Sequence, residues 1–168
     1  MPAKRAIERA KKDRREGKSA STQAGEFVRE EIDHVRQGKH GARSTKQAIA
    51  IGLSEARRAG VDLPPPKKGR ASSRTVKRAK RDLEAGKEGG AGHKSTKRSR
   101  ATSEALKREG RSAASKRALS QHARKAARKR TASQRSAAAK KAARTKGARE
   151  RSAAARKAAR TRARNREG

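Results

Sequence analysis

The sequence predicts an all-α protein, a short helical hairpin head followed by a long basic tail that is largely disordered or nascently helical. Three observations lead there. Leaving alanine aside, residues 1–63 hold eleven apolar side chains and residues 64–168 only four, Val76, Leu83, Leu106 and Leu119. The 51 Lys and Arg residues outnumber 16 Asp and Glu for a formal charge of +35, and +29 of this falls on residues 64–168. The apolar residues of the head recur at helical spacing, and no alternating run marks a strand.

Residues 1–20 read as a basic helical arm, with a helix over about residues 3–16. Ile7 is its one large apolar residue, so loose attachment is expected. Residues 21–63 read as the helical hairpin. From Ala24 to Gln37, the residues Ala24, Phe27, Val28, Ile32 and Val35 share one stripe at about 100° per residue, with Glu31 set inside it. Gly38 supplies a stop. Ser44-Thr45-Lys46-Gln47 is a capping box for a second helix, which presents Ala48, Ile49, Gly52, Leu53 and Ala56 on one face and ends at Gly60. Ile51 falls off that face and suggests a further contact. The short connection, residues 38–43, makes an antiparallel pair the natural assembly. Base reading by this hairpin is disfavoured, because its second helix carries Ala, Ile and Gly where Arg or Asn is wanted. Phe27, Val28, Ile32, Val35, Ile49, Ile51 and Leu53 are the candidate partner-binding residues, with a homodimer through the head as one outcome. So few large side chains leave a domain of this size marginal on its own.

Pro64-Pro65-Pro66 marks a stiff, extended joint. Residues 64–110 read as a basic linker region and as a degenerate copy of the head. Arg74 to Asp82 aligns with Arg5 to Asp13, and Ser95-Thr96-Lys97 with Ser44-Thr45-Lys46, while the apolar stripe has no counterpart. Residues 111–168 are an Arg/Lys/Ala-rich repeat tail. Its unit recurs every 16 residues at Ala123–Arg128, Ala139–Arg144 and Ala155–Arg160. Arg-Ser-Ala-Ala precedes the last two at 135–138 and 151–154, with an earlier echo at 111–114. On a helix each unit gathers three cations within about 100° of arc and its three alanines opposite. Ala, Lys and Arg are strong helix formers. Their mutual repulsion is expected to keep the free tail from folding until phosphates neutralise it. Gly147 should break the run into short helical segments.

Polyanion binding follows from this charge and its segregation, and duplex DNA fits best. Phosphate contact needs only Lys and Arg, whereas single-strand modules stack bases on aromatic side chains, and Phe27 is the one aromatic residue among 168. The candidate nucleic-acid-binding residues are Arg124, Lys125, Arg128, Arg130, Lys140, Lys141, Arg144, Arg156, Lys157 and Arg160, together with Lys67, Lys68 and Arg70. Pro66-Lys67-Lys68-Gly69-Arg70 is similar to an AT-hook without its closing proline. RNA or the ribosome is the alternative target, and an adaptor whose head binds another protein is a third reading.

Enzymatic chemistry is not expected. The four histidines (34, 40, 93 and 122) are scattered, there is no Cys, and no Gly-rich phosphate loop follows a strand. No catalytic residue, metal or cofactor, and no small-molecule substrate, is expected. No apolar run approaches the roughly 20 residues that span a bilayer, no signal peptide is recognisable at Met1–Arg5, and the lack of Cys suits a reducing compartment.

Two resemblances add to this reading. Gly25-Glu26-Phe27 and the stretch from His40 to Gly60, with its Lys-Gln-Ala-Ile-Ala-Ile-Gly-Leu-Ser-Glu-Ala-Arg core, resemble a small uncharacterised domain of bacterial proteins. The tail is similar in composition to the histone H1-like proteins of bacteria. That resemblance implies DNA compaction in a cytoplasmic, nucleoid setting.

Overall fold

Small residues let two helices meet at close range, and the hairpin is built on that. In the computed structural model, which describes residues 4–67, 69–89, 96–145 and 147–166, α1 spans Lys4–Arg15, α2 Ala20–Gln37 and α3 Thr45–Arg58. Ala24, Phe27, Ile32 and Val35 of α2 are buried, as are Ala48, Gly52 and Ala56 of α3. A Cβ on Gly52 would stand 2.6 Å from the Cα of Val28, so the two backbones touch there. Gly38 ends α2 with φ of 77°, and the amides of Gly38 and Lys39 donate to the carbonyls of Val35 and His34. Ser44 caps α3 by accepting from the Gln47 amide at 3.2 Å. Gln47 reaches back one residue further than a capping box requires, accepting from the Arg43 amide at 2.8 Å.

The arm is not loose. Ala6, Ala10 and Asp13 of α1 are buried, and the two alanines join Ala24, Phe27, Ala56 and Val61 in one core cluster. Spaced four apart, they form a narrow stripe that packs closely without large side chains. Apart from Asp13, the charged side chains of α1 stay outside; Arg9, for instance, lies 3.6 Å from Glu26.

Nor does residue 64 start a free linker. Arg57, 7% exposed, donates from Nε to the Leu63 carbonyl and from Nη2 to the Pro64 carbonyl, holding the proline segment against α3. Helix α4, Ser73–Lys87, then packs on α3. Its Ala79 and Asp82 are buried, as are their aligned counterparts Ala10 and Asp13 in α1. Asp82 accepts from the Ser54 hydroxyl at 2.7 Å and lies 3.3 Å from Nε of Arg58. The sequence correspondence sets Thr96 of α5, Thr96–Lys107, opposite Thr45 of α3, but α5 buries none of its residues whereas α3 buries Thr45, Ala48, Gly52, Ala56 and Arg57. Ser95 lies outside the described residues.

The expected boundary at residue 111 falls inside a docked segment. The amides of Gly41 and Ala42 donate to the carbonyls of Leu106 and Gly110, Thr45 donates to Ala113, and Arg36 to Ala114. A 3₁₀ turn, Ser112–Ala114, buries both its alanines in a second cluster with Ile32, Val35, Ala42 and Ala48. Helix α6, Lys116–Arg128, follows, capped by Ser115. The chain divides into two compact units, residues 1–122 and 123–168.

The second unit corrects the expectation of a disordered tail. It holds the end of α6, then α7 (Ala132–Thr145) and α8 (Ala148–Arg164). High intrinsic propensity outweighs like-charge repulsion here, and local caps assist. Thr131 and Gln134 form a reciprocal capping box, each side chain accepting from the other's amide at 3.2 Å. Gly147 caps α8, so the break falls where the glycine predicts it.

The apolar residues expected to face a partner serve mainly this chain's own core. Phe27, Ile32 and Val35 are interior, and Val28 and Leu53 pack against the two clusters. Ile49 and Ile51 remain partly exposed. Among the described residues, no helix is long and apolar enough to cross a membrane.

Candidate nucleic-acid interface

Charge in the second unit is one-sided in sign. Residues 123–168 carry 18 Lys and Arg against two acidic residues, whereas 14 of the 16 acidic residues lie in residues 1–122. Carboxylates in the first unit temper its cations, as at Arg58–Asp82 and Arg43–Glu109. Glu150 sits in the first turn of α8, where a negative charge suits the helix dipole.

Arg124, Lys125, Arg128, Arg130, Lys140, Lys141, Arg144, Arg156, Lys157 and Arg160 are all exposed. Because α6, α7 and α8 are regular helices, the 16-residue repeat becomes a repeated surface. Lys140, Arg144 and Lys141 project within an arc of about 100°, and Ala139, Ala142 and Ala143 occupy the opposite arc. Arg156, Lys157 and Arg160 repeat the pattern on α8. Arg135 lies on the alanine side of α7 and donates to the Arg130 carbonyl. Each block is a compact cationic ridge suited to phosphate oxygens, with no aromatic platform for unstacked bases.

The segment similar to an AT-hook is turned rather than extended. The Arg70 amide donates to the Lys67 carbonyl at 3.0 Å, and Gly69 has φ of 80°. Lys67 and Arg70 are exposed; Lys68 lies outside the described residues. The turn at Lys67 and Arg70 is not the extended backbone expected of a minor-groove hook.

The expectation that no histidines stand together is overturned. The Gly38 turn brings His40 back to the end of α2, where its ring centroid lies 6.2 Å from that of His34 at an interplanar angle of 75°. Nε2 of His40 is 3.5 Å from Oε2 of Glu31, a side chain only 2% exposed. Burial pushes the Glu31 carboxyl up to about 7 despite the opposing pull of His40, and burial also lowers His34. One ligand atom from each of Glu31, His34 and His40 lies within 4.8 Å of the others. Sequence reasoning also missed buried Arg57, whose pKa burial lowers. Both Glu31 and Arg57 are polar residues at interior helix positions, and for Glu31 the signal was its place in the apolar stripe.

Neither a curated protein nor a solved structure matches the chain. Residues 2–68, from the start of the chain through α1, α2, α3 and the proline segment, match a family of unknown function (DUF6496), so the head is similar to a domain to which no activity is attached.

Proposed function

We propose that this protein binds duplex DNA without sequence specificity and compacts it, as a histone H1-like nucleoid-associated protein of the bacterial cytoplasm. The observation that carries this reading is the set of exposed cationic ridges on α6, α7 and α8, repeated every 16 residues and nearly free of acidic residues. Lys and Arg on such ridges replace the counterions condensed on DNA, so affinity comes from their release and depends little on base sequence. Helices already formed lose less conformational entropy on binding than a disordered tail would. Successive ridges joined by short breaks act multivalently, so each bound ridge raises the effective concentration of the next. Bridging follows when ridges of one chain engage two duplexes and neutralise the phosphate between them.

The head contributes a folded base rather than a reading surface. A homodimer through Phe27, Ile32 and Val35 is not part of the proposal, because those side chains are interior. No catalytic step is proposed.

A salt titration of the full chain on a 30-bp duplex, beside a structured RNA of equal phosphate number, tests the proposal. The expected slope of log affinity against log salt is on the order of −5 or steeper, with duplex preferred. Binding no better than to a neutral polymer at about 0.15 M salt would end the reading. RNA preferred by about tenfold, some 1.4 kcal/mol, would move the target to RNA or the ribosome.

A further inference from the structure

The end of α2 holds a carboxylate that the fold of the chain leaves unsatisfied. Glu31 stands among apolar neighbours on the stripe of α2 and is 2% exposed, yet its Oε1 has no hydrogen-bond partner. A buried acceptor without a donor is costly, and a charged one more so. Its other oxygen, Oε2, faces Nε2 of His40 at 3.5 Å. Nδ1 of that ring lies 3.1 Å from the Gly41 carbonyl. A carbonyl only accepts, so Nδ1 carries the hydrogen and the neutral ring holds its lone pair on Nε2. With the Glu31 carboxyl ionised, two acceptors face each other, and either a proton or a metal ion must stand between them. His34, one turn beyond Glu31 on the same helix, brings a second imidazole, and Glu30 stands 3.3 Å from its Nε2.

We propose that Glu31, His34 and His40 bind one divalent first-row transition-metal ion, with zinc as the fitting species. One carboxylate oxygen and two imidazole nitrogens form a borderline donor set that suits zinc. Zinc bonds of about 2.0–2.1 Å in tetrahedral array place donors about 3.3–3.4 Å apart. The Glu31–His40 pair already has nearly this separation, and the full set lies within 4.8 Å. The Nδ1–H bond of His40 to a backbone carbonyl is the outer-shell contact that orients a metal-binding imidazole. A chain of charge +35 does not gather cations at random, so uptake here requires a specific site. The bound ion would join the end of α2 to the loop whose Gly41 and Ala42 amides hold residues 106–110, which makes the site a structural staple for the first unit.

Zinc chloride titrated into EDTA-stripped full-length protein, followed by calorimetry and by a competing chromophoric chelator, tests this. One zinc per chain is expected, with a raised Tm and, for cobalt in its place, the visible absorption of tetrahedral cobalt(II). His34→Gln and His40→Gln should each weaken binding by more than about 10–100-fold, the loss that removal of an outer-shell partner alone brings, while the helical circular dichroism is retained. Should either variant unfold, Glu31→Gln, which removes only the charge, must show the same loss. His93→Gln and His122→Gln should bind as the parent does. A protonated His40 paired with Glu31 would give equal Tm in zinc and in EDTA and no stoichiometric uptake. That result, or uptake that survives loss of His34 and His40, overturns the proposal.

Discussion

The hydroxyl of Thr45, in the first turn of α3, donates a 2.6 Å hydrogen bond to the carbonyl of Ala113, 68 residues further along the chain. This contact divides three copies of one motif into two fates. Arg111-Ser112-Ala113-Ala114 folds into the head with both alanines buried, while the copies at 135–138 and 151–154 lie on exposed helices. Thr45→Val keeps the shape and leaves the Ala113 carbonyl without its donor. We expect a loss of about 1–3 kcal/mol in urea unfolding, with Thr45→Ser retaining most of the stability.

Two glycines of the hairpin should respond oppositely to alanine. Gly25 is exposed within α2 with open space at its Cβ position, so Gly25→Ala should stabilise by about 0.4–1 kcal/mol through the unfolded chain. Gly52→Ala gains the same term but drives a methyl into the backbone of Val28 at 2.6 Å. Overpacking of this kind costs about 1–3 kcal/mol, so its net effect should be destabilising. Thermal melts of the two variants side by side give the signs.

Stability of metal-free protein should fall from acid toward neutral pH through Glu31. Its folded pKa, raised by burial to about 7 from 4.5, means the folded state favours the neutral carboxyl. The contribution is fully present below about pH 4.5 and lost as pH rises through about 7. Ordinary carboxylates with lowered folded pKa work in the other direction, so the difference between variant and parent isolates this group. In EDTA, Glu31→Gln should gain on the parent across that window by on the order of 3 kcal/mol. A pH-independent difference would mean that the carboxylate is not penalised where it lies.

Replacing Lys140, Lys141 and Arg144 together with Gln tests one cationic ridge. If all three meet phosphate, the salt slope on duplex DNA should fall by up to about 2.7, at about 0.9 per contact. Gln is a good helix former, so circular dichroism should hold. Arg135→Gln, on the alanine side of α7, should change the slope by about 1 or less. An unchanged slope in the triple variant would place the phosphate contacts elsewhere.

Much of the local structure is legible in the sequence. The stripe through Phe27, Ile32 and Val35, the Gly38 stop, the Ser44 cap and the break at Gly147 all stand where the residues predict. Glu31 inside the stripe was a visible irregularity, but its meaning needed His40, which returns to it only through the αL turn at Gly38. The docking of α1 and of residues 106–114 was not legible. It rests on Ala6, Ala10, Ala113 and Ala114, and alanine is common on exposed and interior helix faces alike.

By itself, then, the sequence determines where helices begin and end and where positive charge accumulates. Caps, glycine stops and the 100° repeat act over a few residues, and charge is a matter of count. Only the tertiary structure decides which alanines are interior, which Arg-Ser-Ala-Ala copy is closed into the head, and which histidines meet a buried carboxylate. Those outcomes depend on surfaces contributed from distant parts of the chain, and a side chain as small as alanine carries no local preference strong enough to announce them.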